Sequence, residues 1–336
     1  MAQPPTTPIR TIAIVGATGQ LGKHITSALL KNPTFTITAL TRGTSTSSFP
    51  SGVKPFSVDY STPSTLTAAL TGIDALIITL AVSAPPDTQS KLIHAAASAG
   101  VPWILPNEYG NDTNDAASDE TGMGPPKRAA RKLIEDLGVS SWIGVASGFW
   151  YEYSLSGPGL FGIDIAKRSV LLFDDGRQKV SVSTWAQVGR AVARLLALPV
   201  HAQAGDGPAK EETATLNEYR NRMVYVQSFS VSQRDMLDSL NRVLKLEDAD
   251  WTITGIGAKQ RFDEARGMLK EGNRMGFAYM LYTRYFFPGE DAALFEKRGR
   301  LENERLGLSG EDLDEATRKA VEMAEEGYFA KLSYAR

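Results

Sequence analysis

The chain has 336 residues, 42% of them hydrophobic, which suffices for one large domain or two smaller ones around a sizeable buried core. Its 36 Lys and Arg nearly balance 38 Asp and Glu, so no global field recruits nucleic acid or an anionic membrane, and neither is expected as a partner. With no cysteine, disulfides, thiolate nucleophiles and cysteine-held metals are excluded; three histidines, His24, His94 and His201, supply a metal site or a serine-hydrolase triad poorly, and no metal is expected.

The opening MAQPPTTPIRT has neither the apolar run of a secretory signal nor the Arg-rich pattern of a transit peptide, so the expected location is cytoplasmic. No apolar stretch approaches the roughly 20 residues that span a bilayer. From Thr11 to about Val145, short β-branched or apolar runs alternate with amphipathic segments, the pattern of βαβ units around a parallel sheet. The predicted strands are Thr11–Val15, Phe35–Leu40, Phe56–Val58, Ala75–Leu80, Trp103–Leu105 and Trp142–Val145. Leu21, Ile25 and Leu29 recur at helical spacing after the first, and Leu92, Ile93 and Ala96 mark a helix before the fifth. Past Gly148 the composition turns aromatic, then further strands are predicted at Val170–Phe173 and Lys179–Val182 and a helix at Trp185–Leu198. The polar stretch 202–221 reads as a surface excursion. A strand at Met223–Gln227 precedes a largely helical remainder that ends in Leu313–Tyr334. The fold class is therefore α/β, a Rossmann-type doubly wound parallel sheet with a smaller, mostly helical C-terminal substrate lobe. Residues 1–155, rejoined by about 183–230, would form the first body, and 156–182 with 231–336 the second.

The segment Gly16-Ala-Thr-Gly19-Gln-Leu-Gly22 follows TIAIV and opens an amphipathic helix, the context that a phosphate-cradling loop needs. Gly16 permits the turn, Gly19 lets backbone approach a pyrophosphate, and Gly22 lets helix pack on strand, while the helix start offers free N–H donors. Thr18, Gln20 and Leu21 complete this candidate cradle. Where an NAD-binding domain usually carries an acid after the second strand, this chain has Thr41-Arg42-Gly-Thr44-Ser45. Arg42 would clamp a 2′-phosphate with help from Thr44 and Ser45, so NADPH/NADP+ is the expected cofactor; the alternative is a solvated loop arginine. Asp59, ending the third strand, is either an acceptor for the adenine amino group or a turn-capping carboxylate.

GATGQLG, TRGTS, VDYSTPSTLTAAL followed by DALIITL, the QSKLIHAAASAGV helix and LPNEYG occur in this order. Together they resemble the NmrA-like and isoflavone-reductase-like branch of the atypical short-chain dehydrogenases, over roughly the first 155 residues. LPNEYG is similar to that family's Pro-Ser-Glu-Phe-Gly, with Asn107 and Tyr109 as departures. The resemblance implies a catalytic lysine at the start of the next helix, and PPKRAARKLIEDLGV assigns the role to Lys127. The residues support it: Pro125 and Pro126 suit a first helical turn, which places Lys127 near the positive end of the helix dipole, where its pKa should fall. The bland alternative is a surface lysine on a helix that also carries Arg128, Arg131 and Lys132. No tyrosine has a lysine four residues on, so the common Tyr-x-x-x-Lys mechanism is absent.

Ligands of such sheets lie outside the carboxyl ends of the strands, which brings forward Leu80 after the fourth strand, Asn107 and Tyr109 after the fifth, and Ser147–Trp150 after the sixth. By the resemblance, Phe149 lies against the nicotinamide and Gln89 near its ribose; either could equally be packing. Trp150, Tyr151 and Tyr153, with Tyr279, Tyr282, Tyr285 and Phe286, either line an apolar substrate cavity or form core. The loop Asn111–Gly124 is read as a solvated loop, with a mobile lid as the alternative. The expected activity is NADPH-dependent reduction of a carbonyl or conjugated alkene in a small, aromatic or polyketide-like molecule, with Lys127 as general acid or electrostatic catalyst. The alternatives are an NmrA-type regulator that binds NAD(P) without chemistry and a redox-neutral isomerase or cyclase. A monomer and a homodimer both suit the composition.

Overall fold

The computed structural model describes residues 7–43, 46, 48–201, 214–298 and 301–332. In its first half the order is β1 (Thr11–Val15), α1 (Gly22–Leu29), β2 (Thr36–Arg42), β3 (Val53–Val58), α2 (Pro63–Leu70), β4 (Ala75–Ile78) and α3 (Thr88–Ala99). β5 (Trp103–Leu105), α4 (Ala116–Glu120), α5 (Gly124–Leu137) and β6 (Ser141–Ala146) follow. Then come β7 (Phe149–Trp150), α6 (Tyr151–Ser156), β8 (Ile163–Asp164), β9 (Ser169–Phe173), β10 (Val180–Ser183) and α7 (Trp185–Leu196). The remainder holds β11 (Arg222–Tyr225), β12 (Phe229–Val231), α8 (Gln233–Leu244), β13 (Thr252–Ile256), α9 (Ala258–Lys270), α10 (Met275–Arg284) and α11 (Leu313–Glu325).

The main sheet has seven strands in the order β11-β6-β5-β4-β1-β2-β3, every pair parallel. Alternation in TIAIV explains how one strand serves two layers. Ile12 and Ile14 enter the core under α1 and α7, whereas Ala13 and Val15 enter the core under α2, α3 and α5. The strand order reverses at β1 and β4, which puts the ligand crevice of this Rossmann-like fold outside their carboxyl ends. α1 and α7 cross so closely that a Cβ on Gly189 would lie 2.5 Å from the His24 carbonyl oxygen.

The second half packs two three-stranded sheets, β12-β10-β7 and β13-β9-β8, with α8 to α11 around an aromatic core of its own. Two expectations change. The stretch 202–221 is not wholly a surface excursion: 202–213 lie outside the described residues, but Ala214, Leu216 and Tyr219 are buried in the sheet core beside β11. The final helix stops at Glu325 and the chain continues into a 3-10 turn at Phe329–Lys331, because Gly327 takes a positive φ of 62°. No helix among the described residues is long and apolar enough to cross a membrane.

Candidate dinucleotide and active site

The turn between β1 and α1 is built by backbone contact. Gly16 has φ +80°, and a Cβ there would lie 2.0 Å from the Thr79 carbonyl oxygen; a Cβ on Gly22 would lie 1.9 Å from the Gly16 carbonyl oxygen. No larger residue fits either position without moving main chain. α1 has no side-chain cap, and the N–H groups of Leu21 and Gly22 donate no hydrogen bond among the described residues. Two free amides at the positive end of α1 are the donor set that a diphosphate requires. Gln20 turns its side chain away from main-chain work, donating from Nε2 to the Tyr328 hydroxyl at 3.0 Å.

Arg42 ends β2 in an exposed position, and its guanidinium makes no ion pair among the described residues. Thr44 and Ser45, its expected helpers, lie outside the described residues. Asp59 spends its carboxylate on the turn before α2, accepting from Ser61 N and Oγ and from Thr62 Oγ1 at 2.7–2.8 Å. Those Ser61 and Thr62 hydrogen bonds hold its pKa below the ordinary aspartate value.

Three predicted residues meet, Leu80 and Asn107 from strand ends and Gln89 from the family resemblance. Gln89 Oε1 accepts the Asn107 backbone N–H at 2.9 Å, and Asn107 Nδ2 donates to the Leu80 carbonyl at 3.3 Å. Beyond them the chain turns at Glu108–Gly110, whose Gly110 carbonyl accepts the N–H groups of Ser147 and Gly148 at 2.8 and 3.1 Å. That tie brings the ends of β5 and β6 together.

Lys127 lies in the first turn of α5, after Pro125 and Pro126, and is half-buried. Its ammonium makes no hydrogen bond or ion pair among the described residues. Burial pushes its pKa below the ordinary lysine value, the Glu108 carboxylate pulls it back up, and Arg131 one turn along the helix pushes it down again. Glu108 itself is 1% exposed; its Oε1 lies 3.2 Å from Arg131 Nε and its Oε2 accepts from Thr113 Oγ1 at 2.7 Å. Lys132, by contrast, is solvated and paired with Asp136 at 2.6 Å. The Glu108–Arg131 pair escaped the sequence reading, although Glu108 stands inside LPNEYG and Arg131 follows Lys127 at helical spacing.

Segment Asn111–Gly124 corrects the solvated-loop reading. Asp112, Thr113, Ala117, Ser118 and Thr121 are buried. Asp112 accepts from Tyr225 Oη at 2.9 Å, Ser118 Oγ lies 3.0 Å from Tyr285 Oη, Arg298 pairs with Asp112 and Asp115, and Arg284 clasps Glu120 at 2.9 Å. Asp112, Asp115 and Glu120 are answered by arginines from the second half of the chain, a match that local composition does not reveal, and Asp119 by Arg128 of α5.

The aromatic candidates divide. Phe149 stacks on Tyr282 at 4.4 Å and meets Phe161 and Tyr285 edge-on, while Phe286 is 2% exposed; these rings fill the lobe core. Trp150 donates from Nε1 to the Tyr109 carbonyl at 3.0 Å and joins Tyr153, Trp185, Tyr328 and Phe329 in a second group beside Gln20. Tyr109 is buried, its hydroxyl has no hydrogen-bond partner among the described residues, and burial raises its pKa. His24 stacks on Trp185 at 5.5 Å, and burial pushes its pKa down to about 4, so it packs as a neutral ring.

Residues 8–164 match the model of the NmrA-like family. Over that span the chain is similar to that family. Along its greater length it is 28% identical over 276 residues to Oxidoreductase aprR of Aspergillus flavus, covering 80% of this chain and 85% of that one. Among solved structures it is similar to an isoflavone reductase, with a TM-score of 0.71 at 20% identity, covering 93% of this chain and 99% of that one. A leucoanthocyanidin reductase of Vitis vinifera, solved as a binary complex with NADPH, superposes with a TM-score of 0.70 at 15% identity over 93% of this chain and 99% of that one. The NmrA-like resemblance and the Rossmann-like fold expected from the sequence are thus borne out.

Proposed function

We propose that this chain is an NADPH-dependent oxidoreductase that reduces a carbonyl or conjugated alkene of a small, aromatic or polyketide-like molecule. The observation that carries the reading is Lys127, a desolvated, unpaired ammonium at the start of α5, one turn from Arg131 and under the field of Glu108. The name of the Aspergillus flavus relative and the NADPH held by the Vitis vinifera neighbour agree with it. The residues fit the cofactor: Leu21 and Gly22 amides receive the diphosphate, Arg42, without an ion pair among the described residues, the 2′-phosphate, and Gln89 and Asn107 border the nicotinamide half. Residues 1–155 with 183–230 would act as the cofactor body and the remainder as the substrate lobe.

NADPH supplies the hydride. Lys127 then has one task, to place N–H donors on the substrate oxygen as it gains charge and to deliver a proton to it. A lysine with a lowered pKa donates that proton more readily at neutral pH than an ordinary one. The test is NADPH consumption matched to product formation over a panel of aromatic ketones, enones and quinones. Stoichiometric reduction supports the reading; tight NADPH binding with no consumption on any of them supports a sensor instead.

A further inference from the structure

Three arginines are buried among the described residues, and two are answered by carboxylates: Arg131 by Glu108, Arg284 by Glu120 and Glu290. Arg261 on α9 is 7% exposed and makes no ion pair among the described residues. Its guanidinium lies between two rings, 4.5 Å from the Phe173 centroid and 4.7 Å from that of Tyr279. It donates to the Gly159 carbonyl at 2.7 Å, to the Tyr279 carbonyl at 3.3 Å and to Thr283 Oγ1, while Nε–H donates to nothing among the described residues. Neutral carbonyls and ring faces solvate this cation, and exposed Glu264 acts on it only through its field, so no carboxylate among the described residues touches the buried charge, a costly state for such a group.

The charge borders a groove of about 430 Å³ between α9 and the β13-β9-β8 sheet. Strand alternation turns Thr252, Thr254 and Ile256 into it, and helical spacing turns Arg261, Glu264, Ala265 and Met268 toward them. Leu171, Ala265, Met268 and the Tyr279 ring give it apolar walls. Two carboxylates share the lining: Asp164 pairs with Lys167 at 3.3 Å, whereas exposed Glu264, held by neutral Gln260 at 2.9 Å, keeps its charge at the solvent edge and makes no ion pair with Arg261 among the described residues. Burial pushes Arg261 down to about 10, so it remains a cation at neutral pH.

We propose that this groove is a second ligand site, selective for amphipathic monocarboxylates whose carboxylate meets Arg261 and whose aromatic or aliphatic body lies along Leu171, Ala265 and Met268. None of its lining residues belongs to the glycine turn or to the surroundings of Lys127, so it stands apart from the reductase reading. Tyr279 connects the two regions, because Tyr282 one turn along α10 stacks on Phe149.

The probe is 1-naphthoate, titrated into the full chain by calorimetry beside uncharged 1-naphthalenemethanol. The carboxylate should bind at least about tenfold more tightly than the alcohol, the worth of one charge-assisted contact. Arg261→Gln should remove that difference. Because Arg261 also ties α9 to Gly159, a second variant guards the test: Thr254→Trp, on an exposed strand position, fills the groove and should abolish binding without lowering the thermal midpoint. Equal affinity for acid and alcohol, or binding untouched by both variants, overturns the site, as does no binding by the wild type. NADPH affinity measured on the same samples keeps this outcome separate from that of the proposed reductase.

Discussion

Gln20 of the glycine turn and Tyr328 near the C-terminus, 308 positions apart, are joined by one hydrogen bond of 3.0 Å. Phe329 beside it packs on Tyr153 at 4.7 Å, and Tyr328 meets Trp185 at the start of α7. The last described turn of the chain therefore braces the loop that would hold the cofactor diphosphate. Tyr328→Phe keeps the ring and removes the hydroxyl. Since one neutral hydrogen bond is worth about 1 kcal/mol, NADPH affinity should fall up to about fivefold, read by fluorescence titration. An unchanged dissociation constant would mean that the brace does not bear on the cofactor.

Arg42 is exposed at the end of β2 and makes no ion pair among the described residues. If it clamps a 2′-phosphate, Arg42→Ala should weaken NADPH by about tenfold or more while leaving NADH nearly unchanged, because only NADPH loses a charge-assisted contact. Equal losses for both cofactors would assign Arg42 to the loop and not to the phosphate.

Glu152 predicts a pH dependence of stability. Burial raises its pKa to about 7, Glu311 adds to the rise, and hydrogen bonds from its own N–H, from Trp185 N–H and the charge of Lys319 oppose it. Oε1 accepts the Trp185 N–H at 2.9 Å, but Oε2 is buried without a partner among the described residues. A group whose pKa is higher folded than unfolded contributes fully below its unfolded value near 4.5 and loses that contribution as pH rises through about 7. The loss is on the order of 3 kcal/mol. Glu152→Gln should match wild type near pH 5 and exceed its melting temperature at pH 8; melting curves at the two pH values decide it.

The field around Lys127 can be tuned through its neighbour. Glu108 raises the pKa that burial lowers, so Glu108→Gln should move the alkaline limb of the kcat profile to lower pH, because a proton-donating Lys127 then deprotonates earlier. Removing one member of a buried ion pair also costs stability, by about 3 kcal/mol or more, which thermal melts would register. A limb that stays in place while the melting temperature falls would assign Glu108 a structural role alone.

Much of the first half was legible in the sequence because it obeys local rules. TIAIV and WIL form β1 and β5 over the residues predicted, since alternating or uniformly apolar runs next to glycine allow few other structures. β7, β8, β12 and β13 were not predicted: β7, β12 and β13 are two to five residues long and held by partners far along the chain, and β8 has only two residues, paired with the adjacent β9. The site divides the same way. Gly16, Gly22 and Lys127 carry their reasons in nearby sequence, whereas the setting of Lys127 depends on Glu108 and Arg131, and Arg261 gains meaning only from carboxylates it lacks. The Asn111–Gly124 segment misled for a related reason: an acidic, small-residue stretch reads as solvated until the arginines that bury it, Arg284 and Arg298, are in place.

The most direct test of the account is NADPH oxidation at 340 nm by wild type and Lys127→Ala, on a reducible substrate and at cofactor saturation. The account predicts a loss of about a hundredfold or more in kcat for the variant, the usual worth of a positioned proton donor, with NADPH affinity within a few fold of wild type. Turnover that survives intact in Lys127→Ala would contradict it.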